Sequence, residues 1–244
     1  PKICNLRLTA IRAFLEYAAQ EYLWIMPVYT DACTIVGVKT TNHAIEYFEP
    51  NEMTALLAAP SGNNKTDRRN HMILIFLYDT AARVDEARQV KVSDLHLDAE
   101  VPYVTLLGKG RKYRNIPLMD KTILHLKRFL KDFHGSELKT DMPLFYSKIH
   151  GQVHELSSDT FEKMIKRYAA QCRAGGYSMP DNVHCHMIRK TRAMDLYREG
   201  VPLTHIQQLL GHENISTTSV FYAFATLDVL AKAMETVNPF LLYT

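Results

Sequence analysis

No apolar run in the 244 residues is long enough to span a bilayer. Even His71 to Tyr78 is one short stretch, against the roughly 18 to 20 residues a membrane helix needs. Paired cysteines are also missing. Cys4, Cys33, Cys172 and Cys185 are scattered without a CxxC, which excludes a disulfide framework or zinc ribbon and fits a reducing, cytoplasmic setting. His184, Cys185 and His186 adjoin but have no second Cys/His pair at zinc-finger spacing, and neither an HExxH nor an acidic cluster suited to magnesium occurs. No metal and no cofactor are therefore expected. The absence of GxSxG, P-loop and GxGxxG patterns argues against a hydrolase elbow and against nucleotide hydrolysis. A composition of 47% hydrophobic and 23% charged residues excludes a disordered chain.

A strong excess of one charge is lacking too: 29 Lys+Arg stand against 26 Asp+Glu, for a net +3. The average conceals an asymmetry. Tyr103 to Lys131 carries Lys109, Arg111, Lys112, Arg114, Lys121, Lys127, Arg128 and Lys131 against the single acid Asp120. Phe161 to Arg198 is again basic, with Lys163, Lys166, Arg167 and Lys190 among its cations, and from Glu199 onward acids prevail. Two basic blocks on a balanced chain suggest a localised surface for a polyanion, and a solvated charged face is the plain alternative.

Periodicity gives a mainly α chain with a small β-hairpin or sheet, an α+β class. Asn5 to Tyr22 repeats its apolar residues at helical spacing, with no partner helix in its own vicinity, and residues 23–48 read as a turn and an extended linker. Pro50 opens a helix to Ala59, and from about Glu49 the chain reads as one compact domain. Helices are expected at Asp67 to Asp79, Val84 to Val90, Lys121 to Phe133, Ser157 to Cys172, Met187 to Arg198, Leu203 to Leu210 and Leu227 to Thr236. Tyr103 to Leu107 and Tyr113 to Pro117 flank a basic hairpin tip, Gly108 to Lys112. The chain opens on Pro1 without a signal peptide and reads as a fragment.

Three islands hold chemistry-bearing residues: Thr80 to Ala87 with Arg83, the hairpin tip with Lys109, and His184 to Phe224 with His186, Arg189, His212 and Tyr222. Singly, each has a structural reading. Arg83 can pair with Asp85 or Glu86, Lys109 can face solvent, and His186 and Arg189 at i and i+3 can form a polar cluster on one helix face.

Their order is more specific. TAARVDEARQVKVSDL, then VTLLGKGRKYRNIPL, then HMIRKTRAMDLYREGVPLTHIQQLLGHENISTT and a following tyrosine closely resemble the tyrosine recombinases, or phage integrase family, over about Glu49 to Ala225. The resemblance implies a site-specific DNA recombinase of the integrase or transposase type, which cleaves and rejoins double-stranded DNA through a 3′-phosphotyrosyl intermediate. It further implies three segments: a remnant of a helical core-binding domain at 1–24, a linker at 25–48, and the catalytic domain with a C-terminal helix at 49–244.

Carried over by motif, Arg83 and Arg189 match the two catalytic arginines, Lys109 the hairpin lysine, His186 the HxxR histidine, His212 the LGH histidine and Tyr222 the nucleophile. The chemistry fits. Two arginines can hold the phosphate oxygens, His186 can accept the tyrosine proton, His212 can hydrogen-bond the phosphate, and Lys109 can protonate the leaving 5′ oxygen. Arg111, Lys112, Arg114, Lys127, Arg128, Lys163, Lys166, Arg167 and Lys190 are the expected DNA contacts. The helix at 227–236 is expected to dock on a neighbouring protomer in a dimer or tetramer on DNA, in a nucleoid-associated protein.

Two departures keep alternatives open. Many family members place the tyrosine nine residues after the LGH histidine, where this chain has Phe221, with Tyr222 at ten. Lys190 stands where the family often has histidine. A nucleophile-substituted or otherwise non-catalytic DNA-binding relative, and a type IB topoisomerase, remain the rival readings.

Overall fold

A computed structural model describes residues 2–39, 46–62, 64–135 and 140–211, the side chains of Lys2 and Lys109 excepted. The chain divides into two units, Pro1–Ala44 and Ile45–Thr244.

In the first unit, α1 (Lys2–Glu21) packs on α2 (Met26–Thr34) across a short 3-10 turn. This corrects the reading of residues 23–48 as turn and linker, and of α1 as lacking a neighbouring helix. The local signal is weak because α2 buries only Ala32, and much of its hold on α1 is polar. Arg12 on α1 donates to the carbonyls of Ala32 (2.9 Å), Cys33 (3.1 Å) and Ile35, capping the open end of α2. Asn5 exchanges two 2.8 Å bonds with the Val38 backbone.

The second unit places helices around a small antiparallel sheet. Its elements are α3 (Pro50–Ala58), α4 (Lys65–Thr80), α5 (Val84–Gln89), β1 (Leu95–His96), β2 (Tyr103–Leu107), β3 (Tyr113–Pro117), α6 (Asp120–His134), β4 (Tyr146–Ile149), β5 (Gln152–Glu155), α7 (Ser158–Ala174), α8 (Cys185–Arg198) and α9 (Leu203–Leu210). The sheet order is β1-β2-β3, and Leu107 pairs with Tyr113 at the turn end of the hairpin. β4 and β5 form a separate, second small hairpin, whose position the sequence pattern does not mark.

The core explains the arrangement. α4 is buried along Ile73, Leu74, Phe76 and Leu77, and packs against α6 and α8. Phe76 meets Phe145 edge-on at 5.4 Å, while Leu106 and Ile116 bring the sheet into the same cluster. A second cluster of Ala81, Ala193, Met194, Ile206 and Leu210 seats α9 on α8. That smaller cluster sets where the end of α9 lies.

Candidate functional site

The turn from α4 into α5 brings the first arginine into place. Thr80 Oγ1 donates to the Phe76 carbonyl at 2.6 Å, and the next residue, Ala81, takes a left-handed backbone with φ 48°. Ala81 is fully buried, so a larger side chain has no room, and its strained conformation aims its carbonyl at α8. Arg83 follows as the N-cap of α5, with its side chain 36% exposed.

Glu86, one turn into α5, is the hub. Its Oε2 accepts from the Arg83 backbone N–H at 2.7 Å, and Oε1 accepts from Arg83 Nη1 at 2.8 Å. Arg114 from β3 meets both oxygens, at 2.8 and 2.6 Å, in a forked pair only 4% and 14% exposed. Arg189 Nη1 stands 4.0 Å from Oε2. Burial would push the Glu86 carboxyl up, but hydrogen bonds from Arg114 and from Arg83 overcome it and hold it at about 2. Asp85, the other acid beside Arg83, is instead engaged by Arg88 and Ser158.

Arg189 is seated rather than open. Its side chain is 3% exposed, with Nη1 donating to the Ala81 carbonyl at 2.6 Å and Nη2 to the Leu210 carbonyl. Burial, then the positive charge of Arg83, lowers it to about 9, which still leaves it charged at neutral pH. α8 starts two residues earlier than periodicity suggests. Glu162 of α7 accepts from the Cys185 N–H (3.1 and 3.3 Å), so its carboxylate completes the helix N-terminus. His186 therefore sits in the first turn. Its ring is open to solvent on one side, yet loss of water around the rest, followed by the charges of Arg189, Lys190, His184 and Arg83, pushes it down to about 4. It is a neutral imidazole at physiological pH, able to accept a proton.

The structure thus brings together Arg83, His186 and Arg189. Lys109 begins the hairpin-tip turn, where Gly110 (φ 74°) and Arg111 (φ 58°) reverse the chain. The Lys109 side chain, His212, Phe221, Tyr222 and the helix expected at 227–236 lie outside the described residues. Of the expected DNA contacts, Arg111, Lys112, Lys127, Arg128, Lys163, Lys166 and Arg167 are exposed and Lys190 is half-buried. Arg114 departs from that set. It faces inward, its Nε donating to the Leu209 carbonyl at 3.0 Å while its fork holds Glu86, so three of its N–H groups are engaged inside the fold.

Residues 46–226 match the sequence profile of the phage integrase family. The chain belongs to the phage integrase family. It is a tyrosine-type DNA strand-exchange recombinase, and its function is site-specific recombination. A putative integrase/recombinase of Sinorhizobium fredii is 30% identical over 237 residues, 97% of this chain and 69% of that protein. The tyrosine recombinase XerC of Staphylococcus epidermidis is 29% identical over 213 residues, 87% of this chain and 67% of its own. In fold, the recombinase resembles the crystal structure of XerA recombinase, with a TM-score of 0.64, 24% identity and coverage of 95% and 83% of the two chains. It also resembles a Tn1549 transposon integrase in complex with a circular intermediate DNA, with a TM-score of 0.70, 19% identity and coverage of 96% and 79%.

Proposed function

We propose that this recombinase cuts one strand at a time by attack of Tyr222 on a phosphodiester held beside Arg83 and Arg189. The observation that carries the reading is the convergence of Arg83 and Arg189 on one buried carboxylate, with a neutral His186 near enough to feel the charge of both arginines. Attack builds negative charge on the phosphate oxygens, and cations already fixed in place stabilise it without reorganising. Arg83, part-exposed, meets the phosphate directly. Arg189 supplies its charge from behind, anchored to two main-chain carbonyls. A tyrosine hydroxyl ionises near 10 and needs a proton acceptor, which the neutral His186 provides. The Tyr222 oxygen bonds to phosphorus, the P–O bond to the 5′ oxygen breaks, and Lys109 gives that oxygen its proton. Attack by a 5′ hydroxyl of the partner strand reverses the sequence and releases Tyr222, which conserves the phosphoester without an external energy source.

The partner is duplex DNA, bound through the exposed basic residues of the hairpin, α6 and α7. Residues 227–236, apolar at Leu227, Val229, Leu230, Ala233 and Met234, dock on a neighbouring protomer, and the protein works at the nucleoid in the cytoplasm.

A nicked suicide duplex tests the chemistry. The full chain is expected to form a covalent adduct, and Tyr222→Phe to abolish it. An adduct that survives Tyr222→Phe excludes Tyr222, and no adduct on a selected site favours the nucleophile-substituted reading that Phe221 raises. Truncation after Leu227 is expected to leave binding to one half-site intact and to lose tetramers on DNA in native gels. Unchanged tetramers would refute the docking.

A further inference from the structure

We propose that Arg114 is a positioning residue of the recombination site, tying the hairpin, the Arg83 turn and the end of α9 into one frame. This rests on the reading above, in which Arg83 and Arg189 serve the phosphate and Lys109 protonates the leaving oxygen.

The geometry is specific. Arg114 leaves β3, the return strand of the hairpin whose tip begins with Lys109. Two of its nitrogens grip Glu86, which in turn holds both the backbone and the guanidinium of Arg83. Its third, Nε, holds the Leu209 carbonyl, three residues before His212. The neighbouring Leu210 carbonyl holds Arg189. One planar cation thus connects three segments distant in sequence: two bear Arg83 and Lys109, and the third supplies the carbonyl that seats Arg189. Three donors pointing in fixed directions are a task for arginine; a lysine ammonium offers charge without the fork.

Two glycines show how tightly the frame closes. A Cβ at Gly108 would stand 3.2 Å from Arg114 Nη1 and 3.3 Å from the Lys112 carbonyl. At Gly211 a Cβ would stand 3.1 Å from Nη1, 3.2 Å from Cδ and 3.3 Å from Cζ, and the backbone there is left-handed at φ 61°. The glycines of the GKG and LGH motifs therefore let main chain close on the same guanidinium from two sides.

The test uses the full chain with Arg114→Lys, and a nicked duplex carrying a site selected from random DNA by the wild-type protein. The affinity for the duplex and its salt dependence are expected to stay within twofold, while single-turnover adduct formation falls at least 30-fold. In the DNA-free protein, the Glu86 carboxyl, followed by carbon-13 NMR, is expected to titrate at least one pH unit higher. With Arg114→Gln, which also removes the charge that lysine keeps, a salt slope smaller by about 0.9, the loss of one phosphate contact, and an unchanged rate from the bound complex would show that Arg114 contacts DNA and overturn the proposal. An unmoved Glu86 titration would overturn it as well. Should Arg114→Lys fail to melt cooperatively, Gly108→Ala keeps the arginine and crowds it. Slower cleavage at an unchanged salt slope supports the frame, and an unchanged rate refutes it. A wild-type chain that forms no adduct would refute the functional reading, and the Glu86 titration would still decide whether Arg114 frames the site.

Discussion

Glu86 links protonation to stability. A carboxyl held at about 2 in the fold, against an ordinary 4.5, stabilises the protein above the unfolded value, and that stability is lost as pH falls toward 2. At roughly 1.4 kcal/mol per unit, it contributes about 3 kcal/mol at neutral pH. Glu86→Gln is expected to lower stability by that order at pH 7 and to flatten the acid side of a urea-unfolding series between about pH 5 and 2. His186 gives a second pH signature, in activity. Because burial and neighbouring cations lower it to about 4, its base form persists well below the ordinary histidine range. Adduct formation is expected to hold its rate down to about pH 5, where an unperturbed imidazole would already be mostly protonated. His186→Gln should slow single-turnover cleavage by roughly 10²- to 10⁴-fold at nearly unchanged affinity. The motif order is legible in the sequence, and the grouping of Arg83, His186 and Arg189 agrees with it, but the role of Glu86 is not legible there. It reads as a neighbour neutralising Arg83, and its hub position depends on Arg114, 28 residues away. The setting of Arg114 is equally non-local. The sequence shows a cation in a basic hairpin, and only the packing shows it turned toward Glu86 and the Leu209 carbonyl.

The elements show the same division between local and distant causes. β2, β3 and α9 stand where their patterns place them, because alternation and the Gly200-Val-Pro break are written in the segments themselves. The start of α8 is not local, since its first turn is completed by Glu162 of another helix. Nor is α2, which is fastened largely by Arg12 from outside the segment. The glycines around α9 allow a controlled comparison. Gly200 has φ 83° with nothing within 4 Å of an added Cβ, so Gly200→Ala costs conformational strain alone. It is expected to lower stability by about 1 kcal/mol and leave cleavage unchanged. Gly211→Ala carries a similar strain and also pushes Arg114 aside, so it should lose cleavage beyond its effect on thermal melting. Melting curves beside adduct assays distinguish the two.

Across the whole molecule, the net +3 understates the interaction it supports. Exposed cations such as Lys127, 3.8 Å from Asp98, and Lys163, 2.7 Å from Asp159, stabilise the fold little at the surface and remain available to exchange their partners for phosphates. Lys166→Ala is expected to weaken binding alike on all duplexes and to reduce the slope of log affinity against log salt by about 0.9, measured by fluorescence anisotropy. The two basic blocks are visible in the sequence, whereas the sorting of their cations into an inward brace and an outward surface is a property of packing.

Arg189 is held by the carbonyls of Ala81 and Leu210, acceptors that no side-chain substitution can remove. Its placement thus follows the course of the main chain, which at buried Ala81 leaves no room for a larger side chain. A lineage, or a laboratory selection, can rewrite the DNA-facing surface to favour new sites while this arginine stays in register. Retargeting such an enzyme is then chiefly a problem of exposed residues, and the reactive centre travels with the main chain.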